Sequence, residues 1–273
     1  MITIKKDEPL SKHTTFKVGG PARYFCIVKT LDDLRKAIKY AKIKKLKVFI
    51  LGAGSNILVS DLGFDGLVIN FKGAAGVKLQ QFLNYCADKG LSGLEFLAGI
   101  PGTIGGAIYM NAGAYGKTIS EFIDCVYAVN YNGKQHELNR KQCEFGYRKS
   151  VFQKKKLIIT GAEFDLNKER SSVIKNAMKA IIKRRIKKQP YNMPSAGSFF
   201  KNPKGDHAAR LIEAAGLKGL KVGGAMVSKK HANFIVNTGK ARAEEVKKLM
   251  KIIKNRVREK FKISLVPEVK IVE

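Results

Sequence analysis

The glycine-rich stretch at residues 93–116 carries the strongest chemical signal in the sequence. It reads GLEFLAGIPGTIGGAIYMNAGAYG and holds seven glycines in 24 residues, yet it is otherwise apolar, so its composition is not that of a flexible linker. Glycine permits left-handed backbone and lets another group approach the bare main chain. The stretch therefore predicts backbone wrapped against a large flat ligand, with tight turns in a small-residue core as the alternative.

A second glycine-rich segment follows directly after a predicted strand, where backbone N–H groups can converge on phosphate oxygens. It does not fit the Rossmann dinucleotide fingerprint, because Ile57 takes the third glycine position, no helix follows, and no acid lies about twenty residues downstream. Phosphate binding and a plain turn are equally compatible with this segment. It consists of Gly52, Ala53, Gly54, Ser55 and Asn56.

Three further polar side chains stand in unusual settings. Ser198 lies in the small-residue turn SAGSFFKNP, residues 195–203, beside two aromatic residues. Arg148 follows a tyrosine at a strand-like edge, and Glu268 follows a proline in the last predicted strand of a chain that is poor in acids. Taken singly, each also fits an ordinary role: a turn hydroxyl, an exposed arginine, or a surface carboxylate paired with a lysine.

The net charge of +30 comes from 52 Lys and Arg against 22 Asp and Glu, and it favours an acidic partner such as nucleic acid, an anionic membrane or a phosphorylated metabolite. The basic residues form short clusters along the polar sides of predicted helices, where a solvated face is the usual interpretation. Nucleic-acid binding needs one basic face with aromatic residues that stack on bases, and the chain holds no Trp. We therefore expect small anionic substrates and no nucleic-acid partner.

Cysteine and histidine spacing argues against a metal centre. The four cysteines lie far apart without a Cys-x-x-Cys pair, and the four histidines are scattered, so neither a zinc site nor a disulfide framework is expected. The N-terminal residues lack the apolar core of a secretion signal, and no apolar run reaches about 18 residues. These features predict a cytoplasmic protein with reduced thiols and no membrane insertion, and we expect a monomer.

Strands and helices alternate in the first third of the chain and hairpins enter later, which predicts a mixed α+β fold with more than one sheet. Thr30 is expected to cap the first helix, Asn132-Gly133 to form a two-residue hairpin, and Pro190 with Pro194 to mark a domain boundary. The predicted helices are residues 31–44, 77–88, 171–188, 208–215 and 242–260. The predicted strands are residues 22–28, 47–51, 57–59, 67–71, 122–129, 135–138, 157–166, 225–228, 234–237 and 263–272, the last one bent or placed at an edge by its proline.

Taken in order, these segments strongly resemble one known family, the UDP-N-acetylenolpyruvoylglucosamine reductases of peptidoglycan synthesis, in its shorter subtype. The similarity runs from HTTFKVGG at residues 13–20 to the final strand and covers nearly the whole chain. Its other segments are GAGSN, GIPGTIGGAIYMNAGAYG, YRKS, SAGSFFKNP, KKHANFIVN and LVPEV. SAGSFFKNP and LVPEV distinguish this family from other flavin oxidases that share the cofactor-binding fold.

The resemblance implies an α+β fold with two FAD-binding subdomains of the vanillyl-alcohol-oxidase-like (PCMH) type and a small α+β substrate-binding domain. The expected domains are residues 1–54, completed by a strand at 262–273, then residues 55–187, and the substrate domain at 188–261. The chain departs from the family at one place. Family members usually have a further strand pair after the strand that ends near Phe71, whereas here the tripeptide GAA at residues 73–75 connects that strand directly to the segment at Gly76. This departure affects the expected sheet of the second FAD subdomain and the expected cover over the flavin. It removes none of the catalytic positions.

The same resemblance implies an enzyme that uses FAD and NADPH to reduce the enolpyruvyl group of UDP-N-acetylglucosamine-enolpyruvate, which yields UDP-N-acetylmuramate. Ser198 matches the proton donor of the family, and Arg148 and Glu268 match its other two catalytic residues. The residues expected to bind substrate are Tyr147, Lys201, Asn202 and Asn233. The residues expected to bind FAD are Gly52, Ala53, Gly54, Ser55, Asn56, Gly99, Ile100, Pro101, Gly102, Thr103, Gly105, Gly106, Asn111, Ala112 and Gly113.

Overall fold

The computed structural model describes residues 2–273, which divide into two compact units. Helices and strands are mixed in both units, which confirms the predicted α+β fold. The division into three domains stays a prediction. The first unit comprises residues 2–5, Tyr24–Ala53 and Gly66–Arg184, and the second comprises Lys6–Arg23, Gly54–Asp65 and Arg185–Glu273.

Most predicted elements are present, and those at residues 47–51, 57–59, 171–188 and 234–237 have the predicted bounds. The helices are α1 (Leu31–Ile43), α2 (Leu79–Asp88), α3 (Ile104–Tyr109), α4 (Ser171–Lys188), α5 (Ala208–Ala214) and α6 (Ala243–Phe261). The strands are β1 (Ile4–Pro9), β2 (Pro21–Val28), β3 (Lys47–Leu51), β4 (Ile57–Val59), β5 (Phe64–Phe71), β6 (Leu91–Ser92), β7 (Gly113–Ala114), β8 (Lys117–Thr118), β9 (Ile123–Asn130), β10 (Gln135–Asn139), β11 (Leu157–Phe164), β12 (Asn167–Lys168), β13 (Ser195–Ser198), β14 (Lys221–Val222), β15 (Ala225–Val227), β16 (Phe234–Asn237) and β17 (Lys270–Val272).

One sheet has the strand order β1, β2, β5, β3, in which β3 lies parallel to β5. Helix α1 connects β2 to β3 and begins after Thr30, whose hydroxyl accepts a hydrogen bond from the N–H of Asp33 at 3.1 Å. This bond confirms Thr30 as the N-cap, since a hydroxyl there pairs an otherwise unpaired helix donor. The apolar positions of α1 recur at helical spacing and form its buried face. They are Leu34, Ala37, Ile38 and Ala41.

The predicted hairpin joins β9 to β10 in an antiparallel sheet, but its loop is longer than two residues. The N–H of Asn130 donates to the carbonyl oxygen of Lys134 at 3.0 Å, which leaves a three-residue loop. Gly133 has a φ of 83°, and a left-handed residue at this position is typical of three-residue hairpins. The side-chain oxygen of Asn130 accepts from the N–H groups of Asn132 and Lys134, so this side chain stabilises the longer loop.

A single 3-10 turn, Ala74–Gly76, connects β5 to the segment before α2, where the family resemblance led us to expect a further strand pair. Only glycine fits at position 76, because a Cβ there would lie 2.1 Å from the carbonyl oxygen of Phe71. The turn packs on the first residues of α3, since a Cβ added to Gly105 would stand 3.1 Å from the Cβ of Ala75. The shortened connection therefore lies against the glycine-rich stretch.

The second unit contains an antiparallel sheet with the strand order β13, β16, β15, β14, together with α5 and α6. The last strand is shorter than predicted, because only Lys270–Val272 pairs, in parallel with β4. Pro267 makes an isolated bridge to Phe200 instead, as expected of a residue that has no N–H to donate. Helix α6 packs on the sheet through a fully buried stripe. The stripe consists of Ala243, Val246, Leu249, Ile253 and Val257.

All four cysteines are buried in the first unit as free thiols. Desolvation by this burial raises the pKa of Cys26, Cys86 and Cys143 to about 11. These three thiols are therefore protonated at neutral pH, and a protonated thiol is a poor nucleophile. Across residues 2–273, no group of three or more His, Cys, Asp or Glu side chains is arranged to hold a metal ion. In the same part of the chain, no helix combines the length and the apolar character that a membrane span requires.

Helix α6 is capped by a side chain that is remote in sequence, which gives a test of its stability. The carboxylate of Asp61 accepts hydrogen bonds from the N–H groups of Ala243 at 2.8 Å and Glu244 at 3.1 Å. Loss of an N-terminal cap typically costs about 0.5–2 kcal/mol. We therefore expect Asp61→Ala to lower the free energy of unfolding by about 1–2 kcal/mol in denaturant titrations.

The matched control is Asp65→Ala, four positions along the chain. Asp65 makes an ion pair with Arg23 at 3.1 Å, and its side chain is 81% exposed. Exposed ion pairs contribute little to stability, so this variant should unfold close to the parent midpoint. Equal destabilisation by both variants would show that the cap on α6 contributes nothing of its own.

Candidate active site

The glycine-rich stretch folds in the first unit as a loop followed by the short helix α3. Gly99 and Gly102 have φ angles of 78° and 157°, conformations that favour glycine. Thr103 is buried and caps α3, because its hydroxyl accepts from the N–H of Gly106 at 3.2 Å. The sequence does not predict this helix, since Gly105 and Gly106 in its first turn are poor helix formers.

This loop presents backbone donors that the chain itself does not use. Within residues 2–273, the N–H groups of Gly102, Thr103 and Gly105 donate to no group of the chain. Pro101 and Gly106 of the same loop are exposed, whereas Thr103 is buried. Unpaired backbone N–H groups in a glycine-rich loop are suited to pyrophosphate oxygens. The loop at residues 99–106 therefore fits FAD, the cofactor expected from the sequence.

Gly52 and Ala53 follow β3 in the first unit, where Gly52 lies against the cap of α3. A Cβ on Gly52 would stand 2.8 Å from the hydroxyl oxygen of Thr103, a distance that real Cβ atoms do not reach. The carboxamide of Asn70 donates to the carbonyl oxygens of Leu51 and Gly52, each at 2.8 Å, which fixes the end of the strand. The structure thus brings Gly52 and the expected cofactor loop together.

Gly54, Ser55 and Asn56 belong to the second unit. Gly54 has a φ of 63°, and a Cβ there would stand 2.2 Å from the carbonyl oxygen of His13, so the packing of the chain itself requires glycine. The Asn56 carboxamide donates to the carbonyl oxygen of Glu268 at 3.2 Å. A structural turn accounts for Gly54 without a ligand, and Asn56 supports the segment that carries a predicted catalytic residue.

Arg148 occupies a strained position in the first unit. It is the third residue of a turn closed by two hydrogen bonds between Gly146 and Lys149, at 3.0 and 3.1 Å. Its φ of 53° lies in the left-handed region, which costs a residue with a Cβ about 1–2 kcal/mol. The guanidinium donates to the carbonyl oxygen of Gly113 at 3.1 Å and lies 5.3 Å from the centroid of the Tyr147 ring. These contacts orient the guanidinium beside the end of the glycine-rich stretch.

Asn111 supports this turn from the glycine-rich stretch. Its side-chain nitrogen donates to the carbonyl oxygen of Gly146 at 2.9 Å, and its oxygen accepts from the N–H of Ser120 at 3.3 Å. Gln153, which no sequence pattern indicates, donates to the carbonyl oxygen of Arg148 at 3.1 Å. Asn111 and Gly113, which are expected near the FAD, thus make hydrogen bonds to the turn that carries Arg148 and to the Arg148 guanidinium.

Ser198 ends β13 in the second unit, one residue before a segment that is hydrogen-bonded along both edges. On the first edge, the carbonyl oxygen of Phe199 accepts from the N–H of Glu268 at 2.9 Å. The N–H of Lys201 donates to the carbonyl oxygen of Val266 at 2.9 Å. Two of the three predicted catalytic residues therefore lie on adjoining antiparallel segments.

Asn233 forms the second edge of this segment and is only 4% exposed. Its carbonyl oxygen accepts from the N–H of Phe199 at 2.7 Å. Its side-chain oxygen accepts from the N–H of Phe200 at 2.9 Å, and its side-chain nitrogen donates to the carbonyl oxygen of Phe200 at 2.8 Å. The structure thus joins Asn233 to the backbone that follows Ser198.

Lys201 and Asn202 continue from this segment, with Lys201 half-buried and Asn202 exposed. The side-chain oxygen of Asn202 accepts from the N–H of Ala208 at 3.0 Å, so Asn202 also pairs a donor at the start of α5. Thr15, which the sequence analysis did not assign to the site, donates to the carbonyl oxygen of Ser195 at 2.7 Å. Only its place in HTTFKVGG marked it in the sequence.

His231 lies in the loop just before Asn233. Its ring packs edge-on against Phe234, with the ring centroids 4.9 Å apart. Desolvation by burial, and then the positive charge of Lys218, lower the pKa of His231 below its ordinary value. The imidazole is therefore mainly neutral at pH 7. A neutral ring adds no positive charge to this part of the second unit.

Comparison with known proteins agrees with this geometry. Residues 22–139 match the FAD binding domain family, and residues 189–272 match the C-terminal domain family of UDP-N-acetylenolpyruvoylglucosamine reductase. A UDP-N-acetylenolpyruvoylglucosamine reductase of Lachnoclostridium phytofermentans is 42% identical over an alignment of length 284, which covers 97% of this chain and 92% of that protein. One of Syntrophomonas wolfei is 41% identical over an alignment of length 283, which covers 98% of this chain and 95% of that protein.

A solved structure extends the comparison to three dimensions. The crystal structure of UDP-N-acetylenolpyruvylglucosamine reductase (MurB) from Thermus caldophilus superposes with a TM-score of 0.85 at 35% sequence identity. The match covers 100% of this chain and 99% of that chain. The short connection at Ala74–Gly76 therefore occurs in a chain that aligns over its full length with a solved relative.

An FAD-binding domain joined to this C-terminal domain defines a flavin-dependent oxidoreductase. The chain belongs to the UDP-N-acetylenolpyruvoylglucosamine reductase family, which confirms the resemblance seen in the sequence. It is thus an FAD-dependent enzyme of peptidoglycan precursor synthesis.

The strained backbone at Arg148 generates a prediction that separates stability from activity: two variants should differ in stability and lose the same activity. Glycine adopts a left-handed φ without the cost that alanine has there, so Arg148→Gly should be more stable than Arg148→Ala by about 1 kcal/mol. Both variants remove the guanidinium and should lose about 10²–10³-fold in kcat, the usual effect of deleting one charge-stabilising donor. Denaturant unfolding and steady-state kinetics measure the two effects.

The alanine variant is itself the control, because it removes the same side chain and retains the Cβ. Equal stability of the glycine and alanine variants would show that the turn at residues 146–149 is unstrained. Retention of kcat in both variants would remove Arg148 from the reaction.

Proposed function

We propose that this chain catalyses the NADPH-dependent reduction of UDP-N-acetylglucosamine-enolpyruvate to UDP-N-acetylmuramate. The observation that carries the proposal is the pair of hydrogen-bonded segments that holds Ser198 next to Glu268, in a chain of an FAD-dependent reductase family. When bound, FAD would be held by Gly52 and the loop at residues 99–106, and it would supply the hydride chemistry that links NADPH to the enolpyruvyl double bond. The chain itself binds, orients and protonates the substrate.

Ser198 donates the proton that completes the reduction. Addition of a hydride to one carbon of the enolpyruvyl double bond leaves negative charge on the other carbon and its carboxylate. A serine hydroxyl is a weak acid in water, but it can protonate a strongly basic enolate carbon when it is held in line with that carbon. The hydrogen bonds on both edges of the adjoining segment supply such a fixed position, since Phe199 is bonded to Glu268 on one side and Asn233 on the other.

Glu268 acts on the same substrate atoms, either as the acid partner of Ser198 or by orienting the enolate. Its backbone N–H is fixed to Phe199 at 2.9 Å and its carbonyl oxygen to the Asn56 carboxamide at 3.2 Å. The segment that carries the carboxyl group is therefore hydrogen-bonded in both directions. A positioned carboxyl group is a common general acid in enzymes.

Arg148 stabilises the negative charge that develops on the substrate. The guanidinium is always charged, and its neighbours Gly113 and Tyr147 limit its orientation. A preorganised cation in a water-poor site contributes far more than the same cation in water. The strained φ of Arg148 fits this role, because strained backbone conformations cluster at functional sites.

Anionic substrates also give the positive charge of the chain a use. Both the UDP-sugar and NADPH carry several negative charges, and a basic protein attracts such ligands over distance. We assign direct substrate contacts to Tyr147, Lys201 and Asn202, and Asn233 supports the same segment through the Phe200 backbone. The FAD contacts are assigned to Gly52 and the loop at residues 99–106.

We further propose that the enzyme works as a monomer in the cytoplasm. Its two substrates are nucleotide metabolites, and the buried free thiols suit a reducing compartment. Gel filtration with light scattering measures the first point, and a mass near twice the 30.2 kDa of one chain would overturn it.

Replacement of Ser198 tests the reaction sequence directly. In anaerobic stopped-flow experiments, Ser198→Ala should leave the bleaching of the flavin by NADPH near the parent rate. It should slow reoxidation by the enolpyruvyl substrate by about 10²–10⁴-fold, the usual effect of removing a positioned acid. Ser195→Ala, three positions upstream in the same strand, is the control and should leave both steps near the parent rates.

Two outcomes would contradict the proposal at different levels. Equal slowing of both steps by Ser198→Ala would exclude Ser198 as the proton donor while leaving the overall reaction in place. A parent protein that is colourless and takes up no added FAD would overturn the reaction itself.

A further inference from the structure

We propose that Asn233 is the positioning residue for Ser198. Its carboxamide holds the backbone of Phe200 through two hydrogen bonds, at 2.8 and 2.9 Å, and thereby fixes the segment between Ser198 and Lys201. This inference rests on the proposed role of Ser198 as proton donor. It assigns to Asn233 an action through the backbone in place of direct contact with substrate.

The Asn233 carboxamide bonds the backbone of Phe200 at the point where strand β16 has no residue to pair with it. Strand β16 begins at Phe234, which pairs with Ser198, and the register is irregular between Ser195 and Ser198. Just before β16 the chain turns away, because the N–H of Phe234 donates to the carbonyl oxygen of His231 at 3.0 Å. A carboxamide offers the same N–H and C=O groups as a peptide, so the Asn233 side chain continues the ladder beyond the end of the strand.

The result is a segment without free backbone groups. The N–H of Phe199 is bonded to Asn233 and its carbonyl oxygen to Glu268, while both polar groups of Phe200 are bonded to the Asn233 side chain. Phe199 and Phe200 are each 1% exposed. The segment can therefore neither slide nor rotate without breaking buried hydrogen bonds, and Ser198 is attached directly to it.

A positioning role and a substrate contact predict different kinetics. Asn233 is 4% exposed, and both ends of its carboxamide already have partners. Its loss should displace the hydroxyl of Ser198 and leave the binding surface in place. A misplacement of about 1 Å can cost about 10²-fold in rate, so the chemical step should slow while substrate affinity stays the same.

The test compares Asn233→Asp with Asn237→Asp, a matched change in the same strand region. Asp keeps the size of the side chain, but it replaces the N–H donor that bonds Phe200 with an acceptor. Asn237 is also 4% exposed, its side-chain nitrogen donates to the carbonyl oxygen of Phe16 at 3.2 Å, and its oxygen accepts from the N–H groups of Gly239 and Ala241. Both variants lose one buried donor, so both should show a lowered melting temperature.

Only Asn233→Asp should slow reoxidation of the reduced holoenzyme by UDP-N-acetylglucosamine-enolpyruvate, by about 10²-fold. Reduction by NADPH and the Kd of the oxidised holoenzyme for this substrate should match the parent values. Hydrogen exchange at the peptide containing residues 199–204 should accelerate in Asn233→Asp and not in Asn237→Asp. Asn233→Gln, which keeps both polar groups on a longer arm, should also slow reoxidation and serves if the Asp variant does not fold.

A double variant separates this proposal from the proposed function. If Asn233 acts through Ser198, Ser198→Ala combined with Asn233→Asp should be no slower than Ser198→Ala alone. Multiplied effects, or a raised Kd with an unchanged reoxidation rate, would overturn the positioning role. If Ser198→Ala slows reoxidation and neither Asn233 variant does, only the positioning role fails. If Ser198→Ala itself has no effect, the proton-donor assignment fails, and the positioning role fails with it.

Discussion

The need to pair buried backbone groups is the constraint on which the second unit depends. Phe199 and Phe200 are consecutive and both are buried, so the backbone between them runs through the interior, where each N–H and C=O must find a partner. The partners come from the Glu268 segment on one side and from Asn233 on the other. Since Ser198 precedes this pair directly, the hydrogen bonds that satisfy the interior also fix the proposed proton donor.

In the first unit, a buried asparagine side chain likewise pairs backbone groups, beside the turn that carries Arg148. Asn111 is buried, and its carboxamide bonds the carbonyl oxygen of Gly146 and the N–H of Ser120, so that it stands in for a peptide beside the Arg148 turn. In both units an asparagine carboxamide thus pairs backbone N–H and C=O groups as a neighbouring peptide would. Asparagine suits this place because it carries both a donor and an acceptor at the end of a short arm, and it loses little conformational freedom on burial.

Local patterns in the sequence were sufficient for most helices and strands. The apolar spacing of α1 and its Thr30 cap, and the full extent of α4, follow from interactions within a few residues. The helix α3 could not be predicted in this way, because Gly105 and Gly106 disfavour a helix that the Thr103 cap and the surrounding core stabilise. The hairpin loop after Asn130 has three residues where the sequence predicts two, because the Asn130 side chain stabilises the three-residue loop.

Short sequence motifs were sufficient to indicate the family and the candidate site residues, but not the contacts that hold those residues in place. The order of the motifs indicated the family, and the comparisons confirm it, whereas the individual roles of Arg148, Ser198 and Glu268 stay predictions. The supporting bonds join residues that are remote in sequence: Asn233 to Phe200 across 33 positions, and Asp61 to Ala243 across 182. No periodicity or short motif contains such pairs, because they exist only once the chain has folded.

The buried thiols of the first unit have a consequence for how its motions can be followed. An alkylating reagent needs both access and thiolate, so each cysteine reacts only when the structure around it opens. The four positions sample different elements: Cys26 in β2, Cys86 in α2, Cys125 in β9 and Cys143 after β10. The second unit holds no cysteine. Labelling kinetics of the natural chain therefore record the opening of the first unit alone, and no probe has to be engineered.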